Sequence, residues 1–379
     1  MPLQVGIDAL TLIPGRIGGG ETFLLGVLGA LARRDDVRVS VFASAGNVER
    51  LRECVPALDY RVVMRRNEQV PRRVLFEQFR LPRIIRRSGV PVMFFPNNQM
   101  SLACPVPAVL FVHDLVIDYY LRHFPRQTTL RDRVVRRLVH RSIRRADRLA
   151  CPTEAVRDEI AAQVGVPPSR IAVTFEAARR FPPPARPRSR SFEPGRFMFL
   201  LPCSTALHKN IPVVLKALGI LKRSDPELYK ATTLVLTGNP HRAELVVRDD
   251  IAREDVTDRV VLAGYLPEDE LAWLYERAAA LIFPSVYEGF GLPVLEMMTV
   301  GRPVIISDIP VFHEISGGHA LFFPPTDAEA LCRWMVDVMQ RPESVSSLVR
   351  SAKEYADSVT WDRTAEVLCG EFRKCVESA

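Results

Sequence analysis

Two carboxylates, Glu288 and Glu296, bracket a glycine-containing turn in residues 287–301, YEGFGLPVLEMMTVG. The residues around them read as strand, turn and helix. Residues 281–283 and 303–306 are short apolar runs of the kind that form buried strands. Gly289 and Gly291 permit positive φ and remove side chains from the turn. Pro293 suits the first turn of a helix and Gly301 its end. Such a passage gathers free backbone N–H groups, at Phe290, Gly291 and Leu292, with the positive end of a helix dipole, which makes an anion site. One carboxylate enters the turn and the other lies in the first helical turn, so hydroxyls can be bound beside a phosphate. That combination fits a sugar nucleotide better than a free nucleotide. The plain alternative is an ordinary strand–loop–helix connection with a capping Glu.

Two further stretches place polar groups after apolar strands. Residues 197–201 read as a strand, followed by PCSTALHKN (202–210) and a helix from Ile211. A lysine at the end of such a loop can neutralise a diphosphate as a point charge, which singles out Lys209. Residues 109–112 form another strand, ending in His113-Asp114-Leu115. Ligands of open α/β sheets bind beyond the carboxyl ends of strands, where His113 falls. A lone histidine in such a place is more often structural, and Asp114 can equally orient its loop.

These groups need two sheets to carry them. In the first half, strand 3–7, a loop 8–20 ending in Gly18-Gly19-Gly20, a helix 21–33 and strand 37–42 open in β-loop-α-β order, as a doubly wound sheet does. The glycines do not match the dinucleotide fingerprint. Strand signals recur at 92–95 and 171–175, and the run FPPPARPRSRSFEPG (181–195) reads as a Pro- and Arg-rich linker. Beyond it, residues 234–236 lead into Thr237-Gly238-Asn239-Pro240, and 260–263 into Gly264-Tyr265-Leu266. Trp361 begins a last amphipathic helix. A chain of 379 residues accommodates two domains of ordinary size.

Glu288-Gly-Phe-Gly-Leu-Pro-Val-Leu-Glu296 resembles the E-x7-E motif of the retaining glycosyltransferases of family 4. The pattern from Gly264-Tyr-Leu-Pro267 to Gly301-Arg-Pro-Val304 fits with it, as do HDL at 113–115 and HKN at 208–210. The resemblance implies an α/β chain of GT-B fold, with two Rossmann-like α/β/α domains facing a central cleft. The domains are residues 1–175, on the acceptor side, and 196–360, on the donor side. Residues 176–195 would link them, and 361–379 would form a helix crossing back to the first domain. It implies transfer of a hexose from a nucleoside-diphosphate sugar to an acceptor hydroxyl with retention. Glu288 would contact hydroxyls of the donor hexose, Glu296 those of the ribose, and Lys209 the diphosphate. His113 would lie near the transferred sugar. Gly19, Gly20 and Gly238 would lie near the donor, and Tyr265 and Leu266 would edge the base. Where many members carry an arginine five or six positions before the lysine, this chain has Ser204 and Cys203, so the phosphate there meets a hydroxyl without charge. The overall pattern resembles mannosyltransferases of bacterial polysaccharide and lipopolysaccharide assembly, which implies GDP-mannose as donor. UDP-glucose or a UDP-N-acetylhexosamine are the alternatives, and a sugar-nucleotide-binding subunit without turnover is the rival from another class. No Asp-x-Asp triplet occurs, so transfer without a metal or other cofactor is expected.

Charge is unevenly placed. Residues 1–194 hold 32 Lys and Arg against 18 Asp and Glu, whereas residues 195–379 hold 19 against 26. The first half therefore faces something anionic. Nine arginines fall within 61–87 and ten within 122–148, the latter with Leu130, Val134, Val135, Leu138 and Leu149 in rough helical period. A solvated helix face explains either segment alone. Together they point to a membrane surface and a polyprenyl-diphosphate-linked or other glycan acceptor. Nucleic acid ranks lower, because aromatic residues are not interleaved with these arginines. No apolar run reaches about 18 residues, the N-terminus lacks a basic stretch before its apolar residues, and the seven cysteines show no C-x-x-C pair. The expected setting is the cytoplasm, peripheral to the inner face of the plasma membrane.

Overall fold

The computed structural model describes residues 2–14, 18–187 and 196–378, which form two units: 1–177 with 359–379, and 178–358. Among the described residues, the first unit holds strands β1 (Leu3–Asp8), β2 (Val37–Ser44), β3 (Asp59–Met64), β4 (Val92–Phe95), β5 (Ala108–Phe111), β6 (Arg148–Cys151) and β7 (Ile171–Val173). They pair in parallel in the order β3-β2-β1-β4-β5-β6-β7. VMFF of β4 and AVLF of β5 are apolar at every position and wholly buried, because helices cover both faces of a parallel sheet. The order reverses between β1 and β4, whose following connections leave toward opposite faces.

The first helix spans Gly18–Ala32 and so takes in the three glycines that sequence reading assigns to a loop. Thr22 Oγ1 donates to the Gly18 carbonyl at 3.3 Å across that first turn, and the Leu- and Ala-rich stretch that follows carries the helix onto the core. Glycine's poor propensity is outweighed there by the packing of Phe23, Leu24 and Val27. The helix Trp361–Glu377 packs in the same unit, burying Ala365, Leu368, Cys369 and Phe372. Arg148 Nε meets Glu371 Oε2 at 2.6 Å, and the Phe94 and Phe372 rings lie 5.5 Å apart. Gly26 is required under Trp361, since a Cβ there would lie 2.2 Å from the indole.

In the second unit the described strands are β8 (Phe197–Pro202), β9 (Thr232–Thr237), β10 (Val260–Gly264), β11 (Ala280–Phe283), β12 (Val304–Ser307) and β13 (Leu321–Phe323). They are also parallel, in the order β10-β9-β8-β11-β12-β13, with the reversal between β8 and β11. Part of the expected linker is built into this unit. Arg179 and Phe181 pack within it, and the Ala185 N–H donates to the Asp269 carbonyl at 3.0 Å. Residues 188–195 of the expected linker lie outside the described residues.

Candidate active site

The second unit gathers its polar residues where its strand order reverses. The connection after β8 (203–210) carries Lys209, and the one after β11 (284–291) carries Glu288. Asn210 ties them together. It sits in the left-handed region at φ 52, which asparagine tolerates. From there its Nδ2 donates to the carbonyls of Pro284, at 3.1 Å, and Pro325, at 2.8 Å. The Val286 N–H adds a bond to the His208 carbonyl at 2.8 Å. With both loops held, Lys209 Nζ lies 2.5 Å from Glu288 Oε1 and 5.2 Å from the centroid of the Phe283 ring. Burial favours the neutral form of Glu288, but Lys209 first and then His208 and nearby hydrogen bonding together offset it, so the carboxyl is held below its ordinary range. His208 is pushed down to about 4 by burial and by Lys209, so its imidazole is neutral at pH 7.

The helix Leu292–Val300 starts beside this pair. Gly291 occupies its N-cap at φ 119, Pro293 lies in its first turn and Gly301 closes it at φ 74. A Cβ on Gly291 would come 3.1 Å from Phe312 and 3.2 Å from Ile315, on top of the backbone strain. Phe290 and Leu292 bury their side chains, leaving backbone as the surface of the turn. Glu296 is placed differently from its partner in the motif. Its side chain is 1% exposed. Arg179 Nε donates to its Oε1 at 2.5 Å and the Tyr275 hydroxyl to its Oε2 at 2.8 Å. Burial and then the Glu296 charge push the Tyr275 phenol well up.

The remaining loop ends are laced to one another. A Cβ on Gly238, at φ 117, would lie 2.7 Å from the Cys203 carbonyl oxygen, so this glycine lets the loop after β8 lie against the end of β9. The Gly238 N–H donates to the Gly264 carbonyl at 2.7 Å. Ser204 is half-buried, Tyr265 is 52% exposed and Leu266 is half-buried.

In the first unit, His113 follows β5 and both its ring nitrogens have partners. Nε2 lies 2.9 Å from the Pro96 carbonyl and Nδ1 2.9 Å from Glu176 Oε1. A carbonyl only accepts, so Nε2 carries a hydrogen, and a second one bridges Nδ1 to the carboxylate. Burial would lower the imidazole pKa, but Glu176 and the Pro96 carbonyl overcome it and the value is raised. The Phe23 and Phe111 rings each lie 4.7 Å from the imidazole. Asn98 Oδ1 accepts from the His113 N–H at 2.7 Å, and Asp114 Oδ1 accepts from the Val116 N–H at 3.0 Å, shaping the loop. Gly20 lines a small crevice with Leu12, Pro96 and Asn97, between the connections that follow β1 and β4, and Gly19 is exposed beside it.

Comparison with known proteins agrees on both units. The family described as glycosyl transferases group 1 matches residues 187–355, and glycosyltransferase family 4 matches residues 17–175. The chain belongs to the family 4 glycosyltransferases. It is 27% identical over 235 residues to the O-antigen chain mannosyltransferase RfbU of Salmonella typhimurium, covering 62% of each chain. It is 28% identical over 239 residues to O-antigen chain mannosyltransferase B of Escherichia coli, covering 62% of this chain and 61% of that one. The matched region thus spans about three fifths of these relatives. Sucrose-phosphate synthase from Thermosynechococcus elongatus shares the fold at a TM-score of 0.73 and 17% identity over 100% of both chains. Anabaena HepE in complex with UDP and glucose does so at 0.70 and 16%, over 98% of this chain and 100% of that one. The fold is GT-B, with two parallel-sheet Rossmann-like domains.

Within this family 4 chain, the structure brings Lys209, Glu288 and the Gly291 turn to one point. It holds Glu296 in a buried triad and His113 in a separate pair on the first unit. Sequence reasoning missed Arg179, Tyr275, Glu176 and the cross-linking role of Asn210. The HKN triplet was a signal for Asn210, since asparagine before an apolar helix start suits the left-handed region. The others carry no local signal: Arg179 stands 117 positions from the carboxylate it binds.

Proposed function

We propose that this glycosyltransferase moves a mannosyl group from GDP-mannose to a hydroxyl of a glycan or polyprenyl-diphosphate-linked acceptor, with retention and without a metal. The observation that carries the reading is the Lys209–Glu288 pair at 2.5 Å beside a helix N-terminus, at the reversal point of the second sheet. In transfer, the bond between the anomeric carbon and the β-phosphate oxygen breaks, and its electron pair stays on the leaving nucleoside diphosphate. The acceptor oxygen bonds the anomeric carbon, and its proton passes to the departing phosphate oxygen. The main task is to stabilise charge growing on the phosphate. Lys209, turning from Glu288 to that phosphate, supplies a cation, and the turn at Gly291 supplies N–H donors. Glu288, released from the lysine, accepts hydrogen bonds from hexose hydroxyls.

Glu296, 1% exposed and held by Arg179 and Tyr275, reaches ribose hydroxyls only if side chains covering it move, so donor binding on this reading rearranges the triad. His113, with both nitrogens engaged, orients the transferred sugar rather than taking a proton from the acceptor. The named mannosyltransferase relatives favour mannose. HepE, whose solved complex holds UDP and glucose, keeps the UDP-sugar alternative in view. The membrane-linked acceptor draws support from the arginine surplus of residues 1–194.

A thermal-shift screen tests the donor, since a bound ligand raises apparent stability by mass action. GDP and GDP-mannose should raise Tm, and UDP-sugars should not. The reverse pattern removes GDP-mannose. Release of GDP from GDP-mannose, unaffected by EDTA and lost in Glu288→Ala, tests turnover without a metal. Equal, negligible release from both proteins with nucleotide binding intact identifies a binding subunit instead. The anomeric configuration of the product, read by NMR, tests retention.

A further inference from the structure

The first unit exposes an apolar face that its own core does not use. The helix Val70–Phe79 follows edge strand β3. Its Leu75 and Phe79 side chains, one turn apart on one face, are 58% and 66% exposed. With Val63, Met64 and Phe76 they line an open groove of about 890 Å³. Arg65, Arg66, Arg72 and Arg80 line the same groove, and no carboxylate does. Among the described residues none of these four guanidiniums has a side-chain ion-pair partner. Elsewhere in the unit some arginines, Arg34, Arg50, Arg136 and Arg148, are paired to a carboxylate, and others among the described residues, such as Arg131 and Arg137, are not, so it is the groove with its two apolar side chains that sets this face apart.

Two protruding apolar side chains ringed by unpaired guanidiniums match a layered surface, anionic outside and apolar just beneath. Arginine forks bind phosphate oxygens, while Leu and Phe enter the headgroup–acyl boundary. We propose that this face docks the chain on an anionic phospholipid bilayer, with Leu75 and Phe79 inserted and Arg65, Arg66, Arg72 and Arg80 on lipid phosphates. The proposal deepens the membrane-linked acceptor reading by giving the contact a place, and it rests on that reading only for why the chain visits a membrane.

The test is co-sedimentation of the full chain with phosphatidylglycerol–phosphatidylcholine vesicles and with phosphatidylcholine alone. Binding should require the anionic lipid and fall as salt rises from physiological strength, where screening acts over about 8 Å, toward 1 M. Leu75→Ser with Phe79→Ser should lower partitioning about tenfold or more, because two buried apolar side chains are lost. A fourfold Arg→Gln variant at 65, 66, 72 and 80 should do the same. Leu130→Ser with Val134→Ser, removing a pair 77% and 57% exposed on the helix Leu130–Arg145, should bind like wild type. Circular dichroism and vesicle-free release of GDP from GDP-mannose should be unchanged in all variants. A chain that binds vesicles in this pattern yet releases no GDP keeps the docking face and loses the GDP-mannose reading. Equal binding to neutral vesicles, wild-type binding by the Leu75/Phe79 variant, or loss confined to the Leu130/Val134 variant overturns the proposal. So would retention of binding by the fourfold arginine variant, which would point to an apolar protein-type contact.

Discussion

The two units share a parallel sheet whose order reverses beside its first strand, yet they pair their charges differently. In the second unit Lys209 is turned onto Glu288 and Arg179 onto Glu296, so both members of the carboxylate motif are neutralised within the fold. In the first unit the pair at the strand ends is His113 with Glu176, while Arg65, Arg66, Arg72 and Arg80 are left around an apolar groove. The same topology can therefore present a mostly buried, charge-balanced cluster or an open cationic face. The loops and outer helices decide which, and the strands do not.

Four tests break or sharpen that contrast. The largest effect is expected from Lys209→Ala, which removes the only cation placed on Glu288 by the second unit's described ion pairs. GDP release from GDP-mannose should fall about 10²- to 10³-fold in kcat, the usual cost of losing one group aimed at developing charge. His113→Gln, in the other unit, should leave GDP binding in place. If Lys209→Ala turns over normally, the crevice of the second unit is not the reacting centre.

Glu296→Gln should act on stability first. It leaves the Arg179 guanidinium, 20% exposed, with only the half-exposed Glu268 carboxylate at 3.7 Å, and breaking a buried pair from one side costs at most about 3–5 kcal/mol. Denaturant unfolding should show the loss, with little of it when Arg179→Met, Tyr275→Phe and Glu296→Leu are combined, since no buried polar partner is then left unpaired. A wild-type midpoint for Glu296→Gln would mean that the triad contributes nothing to the fold.

The two pairs should answer pH in opposite senses. His113 has a raised pKa, so its contribution is fully present below the unfolded value of 6.5 and is lost as pH rises through the higher folded value. Glu288 has a lowered one, so its contribution is present above 4.5 and is lost as pH falls through the lower folded value. Urea midpoints measured across both ranges should decline on the alkaline side in wild type but less in Glu176→Gln, and on the acid side less in Glu288→Gln. Identical profiles for all three proteins would sink this account. The smallest effect belongs to Asn210→Ala. Two bonds to carbonyls are lost, at about 1 kcal/mol each, and GDP should bind more weakly because the two loops are no longer tied.

Strands buried on both faces were legible as unbroken apolar runs, ALIF and VMFF among them. Others were not. β3, DYRVVM, lies at a sheet edge with no clean alternation, and its arginine made it look like part of a basic surface segment. β6, RLAC, follows the arginine-rich helix so closely that Leu149 passes for that helix's last apolar residue, although it pairs with Leu110 and Ile171. β13 is only three residues long. At the site, the acid spacing, the capping prolines and glycines and the lysine were readable, because each acts within its own loop. The partners of Glu296 and His113 were not, since Arg179 and Glu176 lie far along the chain from them.

By itself the sequence determined the strand–turn–helix passage around Glu288 and Glu296 and the cation-bearing loop at Lys209, because φ preferences, caps and apolar period are local properties. It also determined the surplus of positive charge in the first half. Only the tertiary structure decided that Lys209 meets Glu288, that Glu296 is buried between Arg179 and Tyr275, and that four arginines border an exposed Leu75 and Phe79. Those outcomes depend on which strands become neighbours and which side chains then compete for the same carboxylate, and no window of sequence contains that competition.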